Sequence, residues 1–219
     1  MRKIFFVYAI IYTTILNAQK YDNVWPGGSD PSMEPYDKDT FNNHFLMDFA
    51  DDTMKIIKQF QMKGFLNTES SSLCDSTGKL LMYSNGCNIY GADGQVLPNG
   101  DSINHIVDAG PSVWLNFCGG GSGYPTSKTM VFLPFFSHHR VFVIHYASSF
   151  KVKAEPKIAQ YLLCDQIDDL NGIWTVVKKN QILVDDGGGQ FDVTKHANGR
   201  DWWMVSHSSP QHDYRIWLI

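Results

Sequence analysis

The chain has 219 residues, a formal charge of −4, and 43% hydrophobic, 18% charged and 14% aromatic residues. So much apolar surface excludes a disordered polar chain, and Glu, Lys, Ala and Leu do not dominate as they would in a coiled coil. The acidic balance offers nothing to a phosphate backbone, so no nucleic-acid partner is expected.

Arg2 and Lys3 precede an apolar run at residues 4–16, and Asn17-Ala18-Gln19 follows. A short basic region, about a dozen apolar residues and a small residue before polar sequence form a signal-peptide pattern. Residues 1–18 are therefore expected to direct export, leaving the mature protein secreted or on the outer cell surface. No stretch reaches the roughly 20 apolar residues of a helical membrane span. Residues 19–43 form an N-terminal extension. The segment at 44–61 then offers a hairpin with Asp51-Asp52 at its turn.

Strand signals dominate the rest. Ser76-Thr77-Gly78-Lys79 is a turn ahead of Leu80-Leu81-Met82-Tyr83. Ser137-His138-His139-Arg140 joins two β-branched and aromatic runs at 129–134 and 141–146, a hairpin signature. Strand candidates follow at 159–164 and 173–177, with Asp168-Asp169-Leu170-Asn171-Gly172 read as the turn between them. Asn198-Gly199 is the strongest short hairpin signal, and Trp202-Trp203-Met204-Val205 follows it. Adjacent Trp202 and Trp203 must point to opposite faces of their strand, one toward each neighbouring layer.

Lys79, Arg140 and Arg200 each leave a turn just before an apolar strand, and they lie about 60 residues apart. Recurrence at a fixed period marks a repeat architecture. About four antiparallel strands per period match a β-propeller blade. The fold expected is all-β: an incomplete β-propeller over 44–219, with blades starting near 66, 128 and 191. The hairpin at 44–61 would complete the last blade. A β-sandwich is the alternative, although it does not require the recurrence. The chain stops within the apolar strand at 213–219, so the expectation is the N-terminal part of a longer protein.

The run from Phe65-Leu66-Asn67-Thr68-Glu69 to Thr77-Gly78-Lys79-Leu80-Leu81-Met82-Tyr83-Ser84-Asn85-Gly86 resembles the first blade of a family of exported propeller proteins from Bacteroidetes. Residues 193–205, Gly123-Tyr124-Pro125 and Val96-Leu97-Pro98-Asn99-Gly100 resemble it in the same order, while the segment at 101–127 is longer than in the simplest members. The resemblance covers roughly residues 40–219. It implies a surface or secreted binding or scaffold protein, heading large chains that end in a type IX secretion sorting domain. It supplies no catalytic residues.

Candidate chemistry is sparse. Cys74, Cys87, Cys118 and Cys164 allow two disulfides in three pairings, or free buried thiols, since Cys74 and Cys164 lie in apolar strand patterns. The expected ladder puts Cys74 opposite Leu81 and Cys87 level with Thr68, against a Cys74–Cys87 bridge. Asp185, Asp186 and Asp192 are candidate ligands for Ca²⁺, which takes six to eight oxygens. Their spacing is not that of an EF-hand, and turn chemistry explains the same residues. Gly119-Gly120-Gly121-Ser122-Gly123 lacks the Lys-Ser/Thr and helix of a phosphate cradle. His196 is expected to face Asp201 and His207 to lie level with Gln190, too far apart to share an ion. Trp25, Trp114, Trp174, Trp202, Trp203 and Trp217 could line a groove, but core packing explains them more simply.

The function expected is a non-enzymatic binding or scaffold module for a protein or glycan ligand, without a cofactor. One alternative is a secreted glycan hydrolase or lyase completed by blades beyond this chain. The other is a truncated gene product without independent function.

Overall fold

The computed structural model describes residues 20–28, 44–50, 53–58, 62–64, 66, 70–105, 117–119, 123–125, 130–151, 157–185, 189–208 and 213–219. The expected signal peptide and Asp51-Asp52 lie outside them. The described residues form four antiparallel sheets in chain order. The first contains β1 (Val24–Gly27), β2 (Phe45–Asp48) and β3 (Lys55–Lys58). The second contains β4 (Ser71–Cys74), β5 (Leu80–Ser84) and β6 (Ile89–Gly91). The third is a four-stranded meander of β7 (Met130–Phe135), β8 (Arg140–Lys151), β9 (Lys157–Leu170) and β10 (Ile173–Val184). The fourth contains β11 (Phe191–Lys195), β12 (Trp202–Ser208) and β13 (Asp213–Leu218).

The all-β class therefore holds, while four strands per repeat holds only for the third sheet among the described residues. The hairpin of β2 and β3 pairs with β1, from the stretch read as an extension, and forms a sheet of its own. It is thus not spent on completing the last sheet.

Turn chemistry sets most registers. A short 3-10 turn at Phe136–His138 closes the β7–β8 hairpin, with His139 in the left-handed region. The Asn198-Gly199 turn brings the His196 N–H to the Asp201 carbonyl at 2.9 Å, and the His207 N–H meets the Gln190 carbonyl at 3.1 Å. Both pairings match the sequence expectation. Between β9 and β10 the turn is shorter than expected. Leu170 pairs with Ile173, and only Asn171 (φ 59°) and Gly172 (φ 88°) leave the ladder. Asn-Gly suits the two positive φ values of a tight hairpin. Asp168 and Asp169 consequently belong to strand β9, not to the turn. A bulge also sets Cys74 opposite Leu80 instead of Leu81.

Strand alternation explains the packing. In the first sheet Val24 and Leu46 point toward Cys74, Leu80, Tyr83 and Tyr90 of the second. The opposite face of the second, with Leu73, Met82 and Ile89, meets Phe132, Val141, Val143 and Ile167 of the third. The far face of the third, including Leu133, Ile144 and Leu162, packs on Met204 with Trp202 and Trp217 of the fourth. Consecutive sheets thus lie face to face, and the two middle ones are apolar on both sides. Trp202 meets the third sheet, while its neighbour Trp203 turns outward and is exposed.

The first strands of successive sheets make close inter-sheet contacts, β1 with β4 and β4 with β7. Cys87 and Cys118 form a disulfide, whereas Cys74 and Cys164 are free thiols. Burial pushes the Cys164 thiol up to about 12, which suppresses the reactive thiolate. Maleimide added to the unfolded, unreduced protein should label Cys74 and Cys164 only, and reduction should raise the count from two to four. Mass spectrometry of the labelled chain reads both numbers, and four labels before reduction would contradict the bridge.

Arg140 and Asp168 clamp the start of β8 to the end of β9. The guanidinium donates from Nε to Oδ1 at 2.7 Å and from Nη2 to Oδ2 at 2.9 Å. These bonds from Arg140 hold the Asp168 carboxyl below its usual range. A depressed folded value stabilises the fold above the unfolded carboxyl pKa, and the contribution is lost as pH falls through the folded value. The stability advantage of the native chain over Asp168→Asn should be full at neutral pH and vanish in acid. Urea midpoints measured across that range check the sign.

Candidate functional site

The densest polar arrangement lies between the second and third sheets. Residues 98–105, after β6, dock on β10 through paired backbone and side-chain bonds. The Val176 N–H donates to the Pro98 carbonyl at 3.0 Å, and the Asn99 amide returns a bond to the Val176 carbonyl at 2.9 Å. Lys179 Nζ donates to the Asp101 carbonyl at 2.9 Å and to its carboxylate at 3.2 Å. That carboxyl is held below its usual value chiefly by the Lys179 bond. Gly100 is required for close approach, because a Cβ there would stand 2.9 Å from the Ile89 carbonyl oxygen.

A bulge in β10 shapes the site. Lys178 pairs with Gln166 and Gln181 with Cys164, so Lys179 and Asn180 together oppose Asp165. Asn180 takes a left-handed conformation (φ 53°) and turns its N–H to Asp165 Oδ1 at 2.5 Å. Its side chain donates to the carbonyls of Ser102 and His105 and accepts from the Asn104 N–H. One bulged residue thus satisfies four polar groups that strand pairing would leave open.

His145 completes the cluster from β8. Met130 and His145 pair, as do Val143 and Asp165, so His145 and Asp165 share the face toward the second sheet. His145 Nδ1–H donates to Asn104 Oδ1 at 2.5 Å, while the Asn104 amide donates to the Gly86 carbonyl. His145 Nε2 stands 3.2 Å from Asp165 Oδ2 without a hydrogen bond between them, and both side chains are 0% exposed. Enclosed on every side, the pair offers no surface to a substrate. On this geometry it acts mechanically, tying the docked loop to three strands of the third sheet.

The residues singled out in the sequence do not converge with this cluster. Asp185 and Asp192 are exposed, and Asp186 lies outside the described residues. No group of three or more His, Cys, Asp or Glu side chains that could hold a metal occurs among the described residues. Gly120, Gly121 and Ser122 of the glycine run also lie outside, as do Trp114 and His212. His138 sits in the exposed β7–β8 turn, and His139 stands 3.7 Å from Asp169. His196 packs against Trp203 and His207 against Tyr214. Trp174 meets Phe136 edge-on, and Trp25 packs at a tilt on Phe49.

Sequence reasoning passed over Asn104, Asp165 and Asn180. Asp165 was the available signal: a single carboxylate inside the apolar strand run at 159–167 must be partnered once buried.

No family model matches the chain, nor does any curated protein or solved structure. What defines the molecule is its architecture, an all-β stack of four antiparallel sheets with one disulfide.

Replacing Asp165 with Ala would remove the acceptor of the Asn180 N–H and leave His145 beside an empty position. Leaving buried polar groups such as the Asn180 N–H without a partner costs roughly 1–3 kcal/mol each. Asp185→Ala, at an exposed site, should stay within about 0.5 kcal/mol. Chemical denaturation of the two variants side by side checks the contrast.

Proposed function

We propose that the chain is a non-enzymatic binding or scaffold module of an exported protein, built as part of a β-propeller. The observation that carries the reading is the order of the stack. Each sheet covers the next in chain order, and the first strands β1, β4 and β7 lie close together at the first two of its three junctions. Sheets that converge on their first strands fan out from an axis, as propeller blades do. The resemblance to exported Bacteroidetes propeller proteins supports the same reading. The Cys87–Cys118 disulfide adds weak support for an extracytoplasmic location, where such bonds persist. The signal-peptide pattern at residues 1–18 agrees with it.

In such a fan the connections between strands gather at the two ends of the sheets, where binding surfaces of propellers lie. The docked segment at 98–105 forms one rigid connection of this kind, held by Asn99, Asn104 and Lys179. A ligand surface built on it starts ordered, which lowers the entropic cost of binding.

The test uses the exported chain with a panel of immobilised bacterial and plant polysaccharides and of outer-membrane protein extracts. Retention on one class without release of new reducing ends is the expected outcome. Turnover of a polysaccharide that is lost on changing a single carboxylate would overturn the module reading in favour of a hydrolase or lyase.

A further inference from the structure

The stack leaves two sheet faces without a covering layer among the described residues, one at each end. Cross-strand pairing places Trp203 beside Leu218, Val205 beside Ile216 and His207 beside Tyr214 on the outer face of the fourth sheet. Tyr214 is 73% exposed and Ile216 66%. On the first sheet, Trp25, Met47 and Ile56 lie in one row, with Phe45 and Lys58 in the next. Ile56 is 64% exposed and Trp25 50%. An antiparallel sheet that faces water normally alternates to polar residues on that side. Both faces carry exposed apolar side chains among a few polar ones, Lys58 on the first and Asp192 and Thr194 on the fourth, and contiguous exposed apolar surface of this kind marks an interaction site.

We propose that these two faces are one interface: the outer face of the first sheet in one copy seats on the outer face of the fourth sheet in a second copy. Three observations favour this occupant. The covered junctions of the stack are apolar sheet face against apolar sheet face, and the free ends offer the same construction. The faces sit at opposite ends of the stack, so each copy brings both halves of the contact and the association runs head to tail. Their charges are complementary, with exposed Lys58 on the first face and exposed Asp192, paired with Val205, on the fourth.

A head-to-tail contact forms a ring if its rotation closes and a filament if it does not. Here the inference rests on the fan reading above: converging first strands curve the stack and favour closure. Four sheets from each of two copies would make a ring within the four to eight blades that propellers use.

The decisive experiment pairs two variants of the exported chain, Ile56→Asp and Ile216→Lys, by sedimentation velocity at micromolar concentration. The native chain should sediment as a dimer. Each variant alone should be monomeric, because every contact in its ring carries one altered face. Mixed in equal amounts, the two should recover a dimer, since one contact in the pair is native and the other opposes Asp with Lys. Circular dichroism melts confirm that each variant is folded. A folded, monomeric native chain would overturn the proposal, as would an exported product longer than this chain whose own further sheet covers the fourth. If Ile216→Lys dissociates the protein but Ile56→Asp does not, two fourth sheets meet each other and the head-to-tail contact is wrong. A native dimer with the expected rescue but a filamentous or open form in electron micrographs would retain the interface and remove the fan reading.

Discussion

The constraint on which the rest depends is that the middle sheets are apolar on both faces. A β-strand sends alternate side chains to opposite sides, and in β7 and β8 both sets are apolar: Phe132, Val141 and Val143 on one side, Leu133 and Ile144 on the other. Such a sheet is stable in water only between two others. That requirement explains why the second sheet lies on one side of the third and the fourth on the other. It also accords with the order of the chain, since each sheet covers the next one in sequence.

Polar groups trapped by this packing are handled locally. The Asn180 bulge, the Asn104 amide and the His145–Asp165 pair occupy the junction between the second and third sheets, where docking of residues 98–105 would otherwise strand backbone donors and acceptors. A hydrophobic plug there would be simpler energetically. What the polar cluster adds is specificity, since its bonds form only when loop, bulge and strand stand in one register. The disulfide fixes Cys87, whose carbonyl accepts from the Ile103 N–H of the same docked segment, to Cys118.

Local turn chemistry made much of this architecture legible in the sequence. The hairpin at 198–199 was readable because few residue types accept its backbone angles, that at 137–140 because β-branched and aromatic runs flank it, and the faces of Trp202 and Trp203 followed from alternation alone. The Asp168-Asp169 pair was misplaced because two carboxylates resemble turn residues, and only the partner strand reveals that Arg140 holds Asp168 in the ladder. Strand β1 was missed because Trp25-Pro26-Gly27 carries breaker residues. Gly27 lets the Phe45 ring lie close over the strand, its tip 2.7 Å from where a Cβ would stand. The His145 cluster was illegible for a different reason. Its members are spread from residue 104 to 180 and meet only after three strands and a bulge have formed.

The central claim is that the second and third sheets are sandwiched and the first and fourth are its open ends. Hydrogen exchange of the intact chain, followed strand by strand at several protein concentrations, tests it most directly. Amides of β5 and β8 should exchange slowly at every concentration, while β3 and β13 should exchange quickly when dilute and gain protection as the concentration rises. If β5 and β8 exchanged as fast as β13, the middle sheets would not be covered on both faces, and the account would fail.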